Sequence, residues 1–484
     1  MAFDFGHLKH RVVSGVFFTA SAQVLRQLVQ LGAVALLARL LEPGAFGLLA
    51  LAAAILAFLQ LLADLGLGAS VERRQALTPA EESTLLLLNL GGAGGLCLLL
   101  WVAAPALGRL FGQPDLSWVL STLGPCFLLA GALRTRNASL VRAMRFRAVA
   151  FIEFASVLCG ALASVTLALL GAGMTALVAG SAVQQLAWAG ATVAIAGLPG
   201  PLIFRRALAR EHLGFGSTLT AFNVLNFFTR KLDDLLVGGL MGTAALGLYE
   251  KSYALMMLPV SQLSAVIGRV LYPALAKVKD DPPRFAFLFL GAVRKIAGLA
   301  FPLAALCIVA AGPVVRIVLG PRFEGAVPIF AVLSLVMGLQ PLTGIGGSVL
   351  LARGRVRLHL ALGAGSGAVI LLAFTGGAMQ GTPVAMARWY AAAYALLFLP
   401  TMAVTMRVCG LTLKDLLRRI AVPAAAATVA FGAGLLARDL PFVATACAVG
   451  AAYSVAHLLL DRTAFLDLFR FVDPRRAFPE FARR

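Results

Sequence analysis

Charge is scarce in this sequence, and acid is scarcer still. Of 484 residues only 13% are charged, with 21 acidic side chains against 41 basic ones, where soluble domains carry about a quarter charged residues. Hydrophobic residues make up 60% of the chain, and mean hydropathy is +0.92. A soluble protein of this length lacks the polar surface to cover so much apolar material. The six cysteines, Cys97, Cys126, Cys159, Cys307, Cys409 and Cys447, lie in or beside apolar blocks, and none forms a C-x-x-C pair. They read as small buried hydrophobes rather than as disulfide or zinc frameworks. The five histidines are dispersed. There is no G-x-x-x-x-G-K-[ST], so the chain brings no P-loop ATPase of its own. H-E-x-x-H and G-x-S-x-G are missing as well. An enzyme is therefore not expected, nor a metal or an organic cofactor. Asn137-Ala138-Ser139 spells a glycosylation sequon, but the topology derived below puts it on the cytoplasmic side.

What the chain has is apolar runs long enough to cross a bilayer core of about 30 Å, which takes about 20 residues of helix. Backbone groups in hydrocarbon must bond internally, so these runs are predicted to be helices. The expected class is an all-α polytopic membrane protein of about fourteen spans. They fall near 12–38, 45–68, 83–104, 116–137, 149–170, 173–197, 214–238, 243–268, 287–311, 326–351, 357–377, 383–406, 416–437 and 441–460. The first run is too long for a signal h-region and is expected to stay as a span. Glycine, 49 residues in the whole chain, is abundant inside such runs and suits close helix contact.

The connectors alternate in charge. One set carries clusters such as Arg73-Arg74, Arg134 to Arg147, Arg205 to Arg210, Arg353 to Arg357 and the arginines of the tail. The other set is short and holds only Arg39, Arg109, Arg316, Arg322 and Arg438. Positive charge stays cytoplasmic, which predicts a multi-pass protein of a bacterial inner membrane with both termini inside. The net charge of +20 is then a topology signal rather than a sign of nucleic-acid binding.

An internal repeat accompanies the spans. Leu40 to Leu48 aligns with Leu240 to Leu248 at an offset of 200; Arg109 to Gly112 resembles Arg316 to Gly320; Leu140 to Arg147 resembles Leu350 to Arg357 at an offset of 210. A unit of six spans returns the chain to its starting side, so the halves should be parallel repeats about an axis along the membrane normal. The expected organisation is a six-helix lobe over 1–200, a second over 201–410, two extra helices over 411–460, and a cytoplasmic tail over 461–484. An interfacial helix around Ala464 to Phe471 and a frayed end are both open for that tail.

The polar residues inside spans are the candidates for function. In span 1, Gln23, Arg26, Gln27 and Gln30 follow i, i+3, i+4, i+7 and share one helix face. Arg26 lies about 21 Å into its span, at 1.5 Å per residue, where a charge costs at least ~2.5–3.5 kcal/mol. No acid is near it on its own helix. Span 7 carries Asn223, Asn226, Arg230, Lys231, Asp233 and Asp234, and span 8 adds Glu250 and Lys251. At the offset of 200, Gln23, Arg26 and Gln30 fall on Asn223, Asn226 and Arg230. Ion pairing within spans competes with a binding role: Arg230 can reach Asp233 or Asp234, and Lys251 can reach Glu250 or Asp234. Asp64 and Glu153 look like loop partners near cytoplasmic ends, and Gln184 and Gln185 like helix-joining amides.

Ala38-Arg39-Leu40-Leu41-Glu42-Pro43-Gly44-Ala45-Phe46-Gly47-Leu48, continuing through Asp64 to Ser70 and on to Asn89-Leu90, resembles the polysaccharide-exporter branch of the multidrug/oligosaccharidyl-lipid/polysaccharide (MOP) flippase superfamily. The match is specific over roughly residues 10–90. The resemblance implies two six-helix lobes around an alternating-access cavity. Its cargo would be an oligosaccharide on undecaprenyl diphosphate, serving lipopolysaccharide or exopolysaccharide synthesis beside polymerase and export machinery. It also implies that spans 13 and 14 border a groove for the lipid tail, and that cavity cations hold the diphosphate, a role matched here by Arg26 and Arg230. Gln23, Gln30, Asn223, Asn226, Lys231 and Lys251 are the accompanying substrate-binding candidates. Asp233, Asp234 and Glu250 are candidates for coupling to protons or sodium. A drug/cation antiporter of the same superfamily is the alternative, and a membrane glycan polymerase or ligase is a weaker one.

Overall fold

Long apolar runs with prolines at their starts and glycines at their ends dictate helices separated by short turns. The structure, a computed structural model, describes residues 5–64, 78–198 and 202–462, with side chains from residue 21 onward except at 211–222, 225, 226, 229, 265, 266 and 269. The Arg73-Arg74 loop, the tail from Ala464, and the side chains of Lys9, Arg11 and Asn226 lie outside the described residues. Among the described residues seventeen α-helices run in order: α1 Phe5–Leu40, α2 Pro43–Asp64, α3 Pro79–Leu110, α4 Pro114–Ala132, α5 Arg134–Arg142, α6 Phe146–Leu169, α7 Met174–Ala196, α8 Arg206–Leu240, α9 Thr243–Val266, α10 Tyr272–Lys277, α11 Pro282–Val309, α12 Ala311–Val318, α13 Val327–Ala352, α14 Val356–Met379, α15 Pro383–Val408, α16 Leu413–Leu436 and α17 Phe442–Leu460. A π segment, Ile267–Leu271, follows α9. No strand occurs among the described residues.

The helix ends follow local chemistry. Thr78 caps α3 with a capping box: its hydroxyl accepts from the Glu81 N–H at 3.3 Å, and the Glu81 carboxylate accepts from the Thr78 N–H at 2.7 Å. Proline occupies the first turn of α3, α4, α11 and α15, where a missing N–H is harmless.

Among the described residues, eleven helical stretches are long and apolar enough to cross a membrane. The eleven do not include α7, α8 and α9. These are the helices that carry Gln184-Gln185, the charged cluster of span 7, and Glu250-Lys251. Outward faces are apolar, with Val102 at 81% and Leu436 at 90% exposure. Such faces suit lipid and not water.

By contacts the chain divides into two units, residues 1–247 with 318–322, and residues 248–317 with 323–484. In the first, α1 lies along α6, α6 along α7, α3 along α4, and α2 against both α4 and α8. Phe58 of α2 clusters with Phe227 and Phe228 of α8 at ring separations of 5.3 and 5.6 Å. In the second, α11 packs on α13 and α16, α13 and α14 on α15, and α16 on α17. Its core stacks Phe285, Phe289 and Val293 of α11 against Leu342, Ile345 and Val349 of α13 and Met402 and Met406 of α15. Two polar ties hold α17 to α11: Arg294 pairs with Asp461, and the Tyr453 hydroxyl donates to the Gly298 carbonyl at 2.8 Å.

Candidate functional site

The polar face of α1 finds its complement on α6. Seven residues into α6, Glu153 accepts a hydrogen bond from Arg26 Nη1 at 2.8 Å across 127 residues of sequence. The pair is half-buried, at 27% and 41% side-chain exposure. Arg26 Nε is buried and has no hydrogen-bond partner among the described residues, so one edge of the guanidinium holds the acid and the other lacks an acceptor.

This pair lies in the wall of a cavity of about 530 Å³ inside the first unit. Gln30 of α1 and Asp64 at the end of α2 also line it. α5 contributes Arg134 and Asn137, α6 adds Ser156, and α7 adds Gln184, Gln185 and Trp188. Arg134 donates to the Gln60 amide oxygen at 3.3 Å. Asn137 Oδ1, like Arg26 Nε, is buried without a partner among the described residues. The wall thus offers two cations, two carboxylates, four amides and one large aromatic side chain. One donor, Arg26 Nε, and one acceptor, Asn137 Oδ1, have no partner among the described residues, and groups of these kinds bond anionic oxygens and hydroxyls.

A buried clamp closes one end of α7. Arg136, 6% exposed, donates to Glu82 at 2.6 Å, to the Ala196 carbonyl at 2.8 Å and to the Gly197 carbonyl at 3.1 Å. Arg142 adds a longer bond to Glu82 at 3.4 Å. A cation on the last carbonyls of a helix satisfies groups that have no intrahelical partner.

The other sequence candidates distribute differently. Gln23 is exposed on α1 and does not line the cavity. Asn223 is half-buried and Arg230 exposed on α8, and neither lines this cavity. Lys231 pairs with buried Asp234 at 2.7 Å, and Asp233 is equally buried. The acid therefore goes to Lys231 where the spacing also allowed Arg230. Lys251 pairs with Glu250 at 2.9 Å in the second unit. Glu153, expected as a loop partner, pairs with Arg26 instead, and Gln184 and Gln185, expected as helix-joining amides, also line the cavity. Their i, i+1 spacing gave no face to read, and Glu153 lies on a helix with no other acid.

The polysaccharide biosynthesis protein family matches residues 36–328, more than half of the chain. The chain belongs to this family. Among relatives of this polysaccharide biosynthesis protein is the lipopolysaccharide biosynthesis protein WzxC of Escherichia coli (strain K12), 28% identical over 72% of this chain and 71% of that one. Another is the teichuronic acid biosynthesis protein TuaB of Bacillus subtilis (strain 168), 27% identical over 62% of this chain and 63% of that one. Among solved structures, the lipid II flippase MurJ in an inward closed conformation shares the fold at a TM-score of 0.77 and 12% identity, over 92% of this chain and 99% of that chain. The resemblance read from residues 10–90 to a polysaccharide-exporter flippase agrees with the family match.

Proposed function

We propose that this polysaccharide biosynthesis protein is a flippase that moves a lipid-linked oligosaccharide, carried on undecaprenyl diphosphate, across the bacterial inner membrane for surface polysaccharide synthesis. The observation that carries the reading is the polar cavity of about 530 Å³, with Arg26 half-satisfied in its wall, inside a bundle whose outer faces are apolar. A diphosphate crossing a low-dielectric layer needs charge-assisted donors, and Arg supplies them in a planar fork. Amides and Trp188 suit sugar hydroxyls and ring faces. Arg26 is the diphosphate ligand of this cavity in this reading, with Gln30 beside it. Arg230, which does not line the cavity, is proposed as a second diphosphate ligand elsewhere on the path, with Gln23, Asn223, Asn226, Lys231 and Lys251 along it and Asp233, Asp234 and Glu250 as ion-coupling groups. Polymerase and export machinery are its downstream partners.

The decisive test is complementation of a flippase-null strain, scored for surface polysaccharide at matched protein level. Arg26→Ala is expected to abolish export while the protein still inserts, and Arg26→Lys to restore only part of it. Full export by the Arg26→Ala/Arg230→Ala double variant would remove the diphosphate clamp from consideration. A cation antiporter is the second reading, because Asp64 and Glu153 bring two carboxylates into the cavity. It requires proton- or sodium-driven drug efflux from the same strain and no effect on polysaccharide.

The architecture proposed is fourteen spans, the eleven apolar stretches plus α7, α8 and α9, as two parallel six-helix lobes (1–200 and 201–410) followed by α16 and α17. Two features support the repeat. Left-handed backbone recurs at Gly112, Met144, Gly171 and Gly197, then at Gly320, Gly354, Gly381 and Gly410, with offsets of 208, 210, 210 and 213, while Gly173 and Gly242 have no such counterpart. Equivalent turns thus end equivalent helices, with Met144 accepting a conformation that its counterpart meets as glycine. Second, the contacts around residues 43–47 and 243–247 are reciprocal. Gly47 abuts the Thr243 carbonyl, and Gly247 abuts the Pro43 carbonyl. A twofold operation exchanging the two stretches maps each contact onto the other.

Both termini are proposed to be cytoplasmic. In a cysteine-free background, a cysteine near Asp439 should react with an impermeant thiol reagent in intact spheroplasts, and one near Arg475 only after lysis. Labelling of the second site in intact spheroplasts contradicts the orientation.

A further inference from the structure

The Arg26–Glu153 pair has an asymmetry that the diphosphate reading alone does not explain. A site built only to capture an anion would leave its arginine bare. Here Arg26 Nη1 is occupied by a carboxylate of the protein at 2.8 Å, while Nε on the neighbouring edge is buried and has no acceptor among the described residues. Glu153 is brought to Arg26 by its helix, since α6 lies along α1. An anion that takes the unpaired edge of Arg26 must therefore sit beside the Glu153 carboxylate.

We propose that Glu153 is a built-in competitor that weakens the hold of Arg26 on a phosphate-bearing lipid and so permits its release. This rests on the diphosphate reading of the cavity. The argument is one of opposing requirements. A transport site must bind well enough to admit its cargo and loosely enough to let it go. Arginine with an open fork in a half-buried wall binds phosphate strongly and bidentately. A carboxylate on the same guanidinium lowers that affinity in two ways. It occupies one N–H, and it repels the arriving oxygens at a distance where like charges in a low-dielectric wall are costly. The other charged groups facing the cavity, Asp64 and Arg134, oppose each other in sign, so removal of Glu153 alone tips the wall toward anion capture.

The signature is a split between binding and transport that a purely structural role does not produce. The full-length protein in nanodiscs would be titrated with farnesyl diphosphate, with farnesol as the uncharged control. Arg26→Ala is expected to lose at least about ten-fold in affinity. Glu153→Gln, which keeps shape and removes charge, is expected to bind on the order of ten-fold more tightly and to export less polysaccharide per molecule than the parent. The double Arg26→Ala/Glu153→Gln variant should bind as weakly as Arg26→Ala. If Glu153→Gln does not accumulate, Glu153→Asp, which draws the charge back by one methylene, is read in its place, with a gain of about three-fold expected. A folded Glu153→Gln or Glu153→Asp protein with unchanged or weaker binding, beside a parent that does bind through Arg26, overturns the competitor role and leaves the diphosphate reading standing. No preference for the diphosphate over farnesol in the parent overturns both.

Discussion

Replacing Gly47 with alanine is expected to destabilise the protein as severely as any single methyl group can. The added Cβ would fall far inside van der Waals contact of the Thr243 carbonyl oxygen and 2.7 Å from the Gly247 nitrogen. Both neighbours are backbone, so no side chain can swing away, and α2 and the first turn of α9 must move apart. Overpacking by a methylene usually costs about 1–3 kcal/mol, and a backbone neighbour puts this site at or beyond the upper end. Gly247→Ala meets the Pro43 carbonyl in the same way and should behave alike. Gly91→Ala is the control. It lies in α3 with nothing within 4 Å of an added Cβ, and alanine there should stabilise by up to about 1 kcal/mol through helix propensity. Melting temperature in detergent and abundance in the membrane are the measurements. Equal melting of Gly47→Ala and Gly91→Ala would show that the helices do not approach as closely as described.

A second large loss is expected at Arg136, and of a different kind from that at Arg26. Among the described residues, Arg136→Ala leaves Glu82 with only its longer bond to Arg142 and strips two carbonyls at the end of α7 of this donor. Breaking one side of a buried ion pair costs about 3–5 kcal/mol. Abundance and melting temperature should therefore fall sharply, while export per surviving molecule stays near the parental value. Arg136→Lys should recover little, since one ammonium on a flexible stem cannot serve a carboxylate and two carbonyls in the planar geometry of a guanidinium. Glu82→Gln should cost less than Arg136→Ala, because both carbonyl bonds survive. A double-mutant cycle between positions 82 and 136 should give a coupling above about 1 kcal/mol. Additive losses would mean that the clamp holds α7 through its carbonyls alone.

The contrast between the two arginines marks the boundary between what is local and what is not. That the chain is helical and multi-pass follows from its sequence, because run length, scarcity of charge and the need to satisfy backbone bonds within each segment are local matters. The shared face of Gln23, Arg26 and Gln30 was equally legible, being fixed by helical period. So was the family, through the stretch from Ala38 to Leu48 and its continuation. Tertiary structure decided the partners. Arg26 looked bare because its acid, Glu153, lies 127 residues away on a helix whose own pattern gives it no distinction. Arg136 looked like one positive charge among five in a cytoplasmic connector, and packing makes it the tie between α3, α5 and the end of α7. In the span 7 cluster, spacing allowed Asp234 to pair with either cation, and it pairs with Lys231. Gln184 and Gln185 read as helix-joining amides from sequence, and the path of α7 also puts both on the cavity wall. Periodicity tells which residues share a face of one helix. Which face meets which, and so which charge is neutralised and which remains open to a ligand, depends on how side chains from distant segments fit together, and a one-dimensional pattern does not contain that information.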